Sequence, residues 1–243
     1  MSTTDEDYYC RDYMPVQVAD NDYVRFVFRP VDYYNGNQVW SIINPVVINA
    51  VNKLALPRFS RLVLDGGNLA KASDKVIVTD KIIADNRYQF NSDGDVIAEL
   101  EKDLQCKVIV IPAYPNEATG HADGLIRFVD DKAVLLNDTH EEPEKEWLKQ
   151  VLAILSAHNL AYHDIPCTVE MDQGNAIGLY INYLHVGNLI VVSQFDQKED
   201  VKALEVMNKL FGRSHQVVPY NACWIAEYGG VLNCASWTVT EKS

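Results

Sequence analysis

The sequence predicts an α/β fold built from repeated strand–strand–helix–strand units. Segments with helical spacing of apolar residues alternate with short runs rich in β-branched residues, a pattern unlike that of sandwiches or helical bundles. Polar residues that suit chemistry also recur about one unit apart. Asp12, Asp65, His121, Asn182 and Cys234 are separated by 53, 56, 61 and 52 residues. Such spacing is typical of a repeat fold and predicts that these side chains meet at a shared centre, with chance spacing of selected residues as the alternative.

Three segments have clear helical patterns, and a fourth has a weaker one. The longest contains Pro143 and an acidic first turn at its start, both of which favour a helix N-terminus. Another is followed by Gly212, a common helix stop. The weaker pattern begins around Pro45 and ends before Pro57. The predicted helices span Glu142–Asn159, Lys198–Phe211, about Asp95–Leu104 and Asn44–Leu56.

Short apolar runs between these helices predict strands. Turn-forming residues connect several of them, as at Asp130-Asp131-Lys132 and Val186-Gly187-Asn188, and indicate hairpins. The predicted strands are Arg61–Leu64, Val76–Thr79, Lys107–Ile111, Leu125–Val129, Ala133–Leu136, Ala176–Tyr183 and Leu189–Val192.

Length and composition indicate one soluble globular domain over residues 1–243, with 48% hydrophobic and 23% charged residues. No apolar run approaches the ~20 residues that cross a bilayer, and the polar, acidic segment Met1–Asp7 is unlike a secretory signal. The five cysteines form no CxxC pair and no zinc spacing. We therefore expect no membrane association, no metal site, and reduced thiols in the cytoplasm.

The formal charge of −13 bears on the partners of the protein. Binding to a nucleic-acid backbone needs a cationic surface, so this charge argues against nucleic acid as a partner. It favours the approach of a cationic small molecule. The alternative is an acidic solvated surface that only keeps the protein in solution.

Cys234 follows a Gly229-Gly230 pair and a short apolar strand near the end of the chain. Glycines permit tight turns and let a ligand approach the backbone closely. The cysteine is therefore a candidate nucleophile. The alternative is that Cys234 is only a small apolar side chain buried in the core, as most cysteines are.

His121 and Asp123 form a second candidate pair between Gly120 and Gly124. If this segment is a strand, residues i and i+2 point to the same face, so both side chains would project together. Histidine is the usual proton shuttle near neutral pH, and the carboxylate could hold a cation beside it. A metal site or a surface hydrogen bond would explain the pair equally well.

Two further motifs contain carboxylates. Asp65 ends an apolar strand and enters the Gly66-Gly67 turn, where it either caps the turn or orients His121. Arg11-Asp12 lies in an apolar and aromatic neighbourhood, where such a pair is either a salt bridge or part of a site.

Together, a thiol, a histidine and several carboxylates suit chemistry on a guanidinium. Carboxylates can hold this planar cation through paired charge-assisted hydrogen bonds. A thiolate can then attack its electron-poor carbon. Because a free cysteine has a pKa of about 8.5, a cationic neighbour or a cationic substrate must help to form the thiolate.

These motifs resemble the pentein superfamily of guanidine-modifying enzymes, and most closely the branch of agmatine deiminases and Porphyromonas-type peptidylarginine deiminases. The resemblance covers nearly the whole chain. It rests, in order, on Arg11-Asp12-Tyr13-Met14-Pro15, Asp65-Gly66-Gly67-Asn68, Gly120-His121-Ala122-Asp123-Gly124 with Arg127-Phe128, Tyr180-Ile181-Asn182, and Gly229-Gly230 before Cys234.

The resemblance implies a pentein fold, an α/β propeller of ββαβ modules around a pseudo-fivefold axis. It implies deimination of a small cationic guanidine through a covalent thiouronium, a role in putrescine biosynthesis, and no metal or organic cofactor. An amidinotransferase would share the first half of this reaction and replace water with an amine. By resemblance, the catalytic residues are Cys234, His121 and Asp65, and the substrate-binding residues are Asp12, Asp123, Asn182 and Arg11.

The sequence also departs from the family pattern. Relatives carry most of a first module ahead of the motif that contains Asp12, so we expect this first module to be incomplete. Either the chain is truncated, or the ring is open, or the missing piece comes from another subunit, as in a homo-oligomer. Asp65 replaces a glutamate that is common in relatives, and Asn233 stands where agmatine deiminases often have histidine.

Two functional readings follow. The first is a deiminase that acts on agmatine or an arginine derivative, with agmatine and peptidyl-arginine equally compatible with the motifs. The alternative is a non-catalytic pentein-like binding protein with an incomplete ring.

Overall fold

The computed structural model describes residues 8–29, 55–115, 117, 119–138, 144–169 and 174–240. Within them, four small sheets of three strands each follow one another along the chain. In every sheet the first two strands pair antiparallel and the third pairs parallel to the second. The predicted α/β repeat is therefore confirmed.

The strands are short, as expected for a repeat with one small sheet per module. The sheets comprise β1–β3 (Val16–Ala19, Asp22–Val27, Arg58–Val63), β4–β6 (Ala70–Lys71, Lys75–Thr79, Lys107–Ile111), β7–β9 (Ile126–Asp130, Ala133–Asn137, Ala161–Ile165) and β10–β12 (Leu184–Val186, Leu189–Gln194, Gln216–Asn221). Both predicted hairpin turns are present, between β7 and β8 and between β10 and β11.

Helices connect the second and third strands of the last three sheets. The helix that precedes β6 begins at Ser92, whose hydroxyl accepts from the backbone N–H of Asp95, and ends at Gln105 in a left-handed conformation. The helices are α1 (Cys10–Tyr13), α2 (Lys81–Asn86), α3 (Asp93–Leu104), α4 (Glu144–Ala157), α5 (Glu199–Phe211) and α6 (Cys223–Ala226). Three predicted helices are thus confirmed within a few residues, and most of Asn44–Leu56 lies outside the described residues.

Six of the seven predicted strands are present, but Ala176–Tyr183 is a series of turns. Gly178 has φ +92°, which interrupts an extended strand. Tyr180 and Ile181 are nevertheless fully buried. Burial of the turn, not strand pairing, accounts for the apolar run.

The first strands of the four sheets lie around a common axis. Each module contacts the next one, either between the strands themselves, as for β4 and β7, or through a hydrogen bond from a polar side chain. Residues 222–240 occupy the fifth position and contact both the fourth and the first sheet without forming a sheet of their own. The expected incompleteness of the first module, ahead of Asp12, stays a prediction, because residues 1–7 lie outside the described residues. The connecting contacts are Lys71 Nζ to Gln17 O (2.7 Å), Ser73 Oγ to Asp131 Oδ1 (2.7 Å), Arg127 Nη1 to Tyr183 O (2.7 Å), Asn233 N to Asn182 O (3.1 Å) and Thr240 N to Gln17 Oε1 (2.7 Å).

The helices lie on the outside of the ring and pack their apolar faces against its strands. In the third module, Trp147, Val151 and Leu155 of α4 are buried against neighbouring strands. Trp147 Nε1 also donates to the carbonyl of Pro112 at 2.8 Å, which satisfies its only polar atom. Among the described helices, none is both long and apolar enough to cross a membrane.

Candidate active site

One end of the ring axis opens into a cavity of about 390 Å³. The predicted site residues reach it from the segments that precede the first strands of the modules and from the segment near the chain end. Residues more than 200 positions apart in sequence therefore meet. The predicted residues that line this cavity are Asp12, His121, Asp123, Asn182 and Cys234.

The Gly66-Gly67 turn lets α1 approach His121. The backbone N–H of Gly67 donates to Asp12 Oδ1 at 2.8 Å. A Cβ atom at Gly67 would lie 2.6 Å from both Asp12 Oδ1 and His121 Nδ1. At Gly66 it would lie 2.0 Å from the backbone oxygen of Arg11. The glycine pair is therefore required for the carboxylate and the imidazole to share one space.

His121 lies between two carboxylates. Its Nε2 is 3.1 Å from Asp65 Oδ2, and its Nδ1 is 3.7 Å from Asp12 Oδ1. Asp65 makes no side-chain cap bond to the turn that it precedes, so the turn-cap alternative for Asp65 is wrong. Lys81 Nζ approaches the same Asp65 oxygen at 3.8 Å. Asp65 therefore lies behind the imidazole, where it orients the ring.

His121 and Asp123 do not lie on a strand, so that premise of the sequence analysis is wrong. His121 immediately precedes the 3₁₀ turn Ala122–Gly124, and β7 begins only at Ile126. Both side chains are buried and line the cavity all the same. The tight turn brings them together, in place of the alternation of a strand.

Asn182 holds the segment that contains Cys234. Its Oδ1 accepts from the backbone N–H groups of Asn233 and Cys234 at 3.1 and 3.2 Å. Its Nδ2 donates to Asp123 Oδ2 at 3.4 Å, and Asn233 Nδ2 donates to the same oxygen at 2.6 Å. Cys234 Sγ lies 3.7 Å from that oxygen. The sulfur and the carboxylate are thus fixed side by side.

Arg11 lies outside this cavity, in contrast to the substrate contact expected from the resemblance. Its Nε donates to the carbonyl of Asn233 at 3.2 Å, and its Nη2 is 3.4 Å from Ser236 Oγ. Its backbone N–H donates to the carbonyl of Cys234 at 3.0 Å. The expected salt bridge with Asp12 is also not formed, so Arg11 positions the segment around Cys234.

Several contributors were not selected from the sequence as site residues. The Tyr9 hydroxyl accepts from the backbone N–H of Gly230 at 2.9 Å and donates to the carbonyl of Ile225 at 3.0 Å. A Cβ at Gly230 would lie 2.6 Å from the Tyr9 ring, which explains a glycine there. Tyr228 and Glu117 line the same cavity. In the sequence, only the glycine pair before Cys234 indicated that this part of the chain lines the site.

Burial and charge determine the protonation of the site. Burial raises the pKa of Asp12 to about 7, and the charges of Asp65 and Asp123 add to the rise against the effect of His121. Burial alone would lower the pKa of His121, but Asp12, Asp65 and Asp123 outweigh it and raise that pKa to about 10. The pKa of Cys234 is well above its ordinary value because of burial and the carboxylates of Asp123 and Asp12. Without a ligand, the site therefore holds an imidazolium and a neutral thiol.

These shifts predict that the folded protein becomes less stable as pH rises. The pKa of His121 goes from 6.5 to about 10 on folding, so its stabilisation is complete below pH 6.5 and is lost as pH rises through about 10. The loss is on the order of a few kcal/mol. Urea unfolding across this window should show it, and His121→Asn should flatten the dependence. Equal slopes in both proteins would contradict the assignment.

Among the residues that the structure describes, no group of three or more histidine, cysteine or acidic side chains is placed to hold a metal ion. All five cysteines are free thiols. The side chains that line the cavity can perform nucleophilic attack by sulfur, proton transfer by an imidazole, and binding of a cation by carboxylates.

Comparison with known proteins agrees with this arrangement. The sequence model of the Porphyromonas-type peptidyl-arginine deiminase family matches residues 1–239. Agmatine deiminase of Pseudomonas aeruginosa (strain LESB58) is 23% identical over 217 residues, which cover 76% of this chain and 59% of that protein. This chain thus spans about three fifths of the length of that curated relative.

Solved structures show the same fold. Agmatine deiminase of Enterococcus faecalis superimposes with a TM-score of 0.77 at 19% identity, covering 93% of this chain and 73% of that one. A substrate-bound variant of C. jejuni agmatine deiminase gives 0.76 at 16% identity, with coverages of 93% and 72%. The predicted pentein fold is confirmed. With the family model matched over nearly its whole length, the chain belongs to the Porphyromonas-type peptidyl-arginine deiminase family.

Proposed function

We propose that this protein is a guanidine deiminase that hydrolyses an arginine-like guanidinium to a ureido product and ammonia. The observation that carries the proposal is the convergence of Cys234 and His121 on one cavity together with Asp12 and Asp123. A thiol, an imidazole and two carboxylates in one pocket are the groups that this reaction needs. The agmatine deiminases among the relatives and solved structures support the same reaction class.

The carboxylates of Asp12 and Asp123 are the proposed binding groups for the guanidinium. Both line the cavity, and a guanidinium offers planar N–H donors that match carboxylate oxygens. The overall charge of −13 favours the approach of such a cation. Asn182 contributes indirectly, because it orients both Asp123 and the backbone of Cys234.

Binding of the substrate also activates the nucleophile. The pKa of Cys234 is raised by burial and by Asp123 and Asp12. A bound guanidinium places positive charge next to those carboxylates and offsets their effect on the sulfur. The thiolate therefore forms when the cationic substrate is present, and the empty site keeps an unreactive thiol.

In the first half of the reaction, the Cys234 thiol loses its proton to solvent when the guanidinium is bound, and the resulting thiolate adds to the central guanidinium carbon. Protonated His121 donates a proton to one nitrogen, the C–N bond breaks, and ammonia leaves. A covalent thiouronium remains on Cys234. Asp65, 3.1 Å from Nε2, stabilises the imidazolium before this transfer.

In the second half, neutral His121 takes a proton from a water molecule. The resulting hydroxide adds to the thiouronium carbon, and the C–S bond breaks. The electron pair of the bond returns to the sulfur of Cys234, the hydroxyl proton leaves as the ureido carbonyl forms, and the sulfur takes up a proton to regenerate the thiol. The same imidazole thus serves first as acid and then as base, which its place between two carboxylates permits.

Agmatine is the first substrate to test, because the curated relatives are agmatine deiminases. We expect purified protein to release ammonia and a ureido product from agmatine. Free arginine and a peptide with a blocked internal arginine, assayed alongside it, separate a small-guanidine enzyme from a peptidyl-arginine deiminase. Amine acceptors added to the assay would reveal amidino transfer as transferred product.

The proposal fails if no guanidine in this panel gives ammonia or a ureido product while Cys234 also remains unlabelled by a haloacetamidine. That combination would favour a non-catalytic binding protein with the same fold. If Cys234 is labelled but none of these guanidines is converted, Cys234 is still supported as the nucleophile, and other guanidines should be tested as substrates.

We also propose a cytoplasmic location, because all five cysteines are free and none is shielded in a disulfide. With agmatine as substrate, the reaction belongs to putrescine biosynthesis. The homo-oligomer that the sequence analysis expects stays a prediction.

A further inference from the structure

A second cavity of about 410 Å³ lies at the other end of the ring axis. The first strands of the four sheets form its walls together with the segment Trp237–Thr240. Only a thin partition separates it from the candidate active site. Asn233 lines this second cavity, while its side chain donates to Asp123, which lines the first.

The charge of this second cavity is opposite to that of the protein. Arg11, Lys71 and Arg127 line it, and the described residues that line it include no aspartate or glutamate. The whole chain contains 34 acidic and only 21 basic residues. Three cations on separate walls of one cavity therefore form a local positive site in an acidic protein.

The side-chain partners of these cations are neutral groups. Lys71 Nζ donates to the carbonyl of Gln17, and Arg127 Nη1 donates to the carbonyl of Tyr183, both at 2.7 Å. The Arg127 guanidinium also lies 4.2 Å above the Tyr183 ring. Elsewhere in the described chain, ion pairs are common, as between Arg58 and Asp22 and between Lys81 and Asp85.

Arg11 uses its donors in the same way, on the carbonyl of Asn233 and the hydroxyl of Ser236. A guanidinium has five N–H donors, so both arginines retain donors for a further acceptor. Burial lowers the pKa of Arg11, and the like charge of Arg127 lowers it further, against the opposing effect of Asp123. An anion between the guanidiniums of Arg11 and Arg127 would relieve the repulsion between them.

We propose that this second cavity binds a small multivalent oxyanion. Two guanidiniums and an ammonium on different walls match an anion with several acceptor oxygens, such as a phosphate group or a dicarboxylate. The cavity volume leaves space for a short carbon skeleton beside the charged groups. The site is distinct from the carboxylate-lined cavity of Cys234, and the proposal does not depend on the proposed deiminase reaction.

Calorimetric titration at constant ionic strength tests this site, with inorganic phosphate and malonate as separate probes. We expect saturable binding of one anion per chain. Lys71→Met should raise the Kd about tenfold, the effect of losing one charge-assisted contact. Lys71 is an exposed residue at the edge of the cavity, so the variant is expected to fold.

The matched control is Lys149→Met, because Lys149 is exposed on α4 and pairs with Glu146 away from the cavity. This variant should bind both probes like the wild type. Tighter binding of phosphate identifies a phosphate site, and tighter binding of malonate identifies a dicarboxylate site. Absence of saturable binding by both probes, or equal weakening in the two lysine variants, overturns the proposal.

Discussion

Cys234→Ala is expected to abolish release of ammonia from guanidines, with kcat lowered by at least about 10⁴-fold. The variant lacks the sulfur that forms the covalent intermediate, and no other cysteine lines the cavity within the described residues. The backbone contacts of residue 234 with Asn182 and Arg11 do not need the side chain, so the fold is retained. Steady-state assays measure the loss of ammonia release, and mass spectrometry of haloacetamidine-treated protein measures the loss of labelling at residue 234.

Cys223→Ala is the matched control for this experiment. Cys223 begins α6, on the same C-terminal segment, and its Sγ lies 3.6 Å from Asp196 Oδ2, outside the cavity of Cys234. Replacing Cys223 should leave unchanged both kcat and the increase in protein mass that haloacetamidine labelling causes. Retained activity in Cys234→Ala, or loss of activity only in Cys223→Ala, would reject Cys234 as the nucleophile.

The regular spacing of polar residues was the most informative signal in the sequence. Each of these residues lies just before the first strand of a module or, for Cys234, in the segment that takes the fifth position. Because first strands surround the axis, the residues that precede them converge at one of its ends. The positions of Asp12, His121 and Asn182 were therefore predictable from repeat spacing, although their individual contacts were not.

The parts that sequence analysis missed depend on contacts between distant segments. The run Ala176–Tyr183 has the apolar composition of a strand, yet Gly178 at φ +92° and burial beneath the cavity make it a turn. Asn233 has no periodic pattern and was noted only as a departure from relatives. Its role became evident from its contact with Asp123.

Arg11 illustrates the same limit for charged residues. From the sequence, a salt bridge with Asp12 and a contact with substrate were the two candidates. The structure places the Arg11 side chain towards the carbonyl of Asn233 and the second cavity, while Asp12 faces Gly67 and His121. Neighbouring residues on the short helix α1 thus face opposite ends of the axis. The direction of each side chain decides this, and the composition of the sequence does not show it.

His121→Asn is expected to lower kcat by about 10³-fold, since one residue provides both the acid for the departing amine and the base for water. Asparagine is shorter than histidine, so it fits the space that Gly67 leaves open, and its amide takes the position of Nδ1 beside Asp12, so the cavity is expected to remain formed. Single-turnover assays with agmatine, followed by mass spectrometry of Cys234, show which step slows.

His185→Asn is the control for this variant, because His185 lines the second cavity and not the first. It should retain the kcat of the wild type. The pH profile gives an independent readout: His121→Asn should lose the dependence that the wild type shows as pH approaches about 10, where the raised pKa of His121 lies. If His121→Asn keeps more than about a tenth of the wild-type kcat, proton transfer must come from another group, since general acid–base catalysis contributes about 10²-fold or more. A carboxyl group with a raised pKa, such as Asp12 at about 7, would then be the residue to replace next.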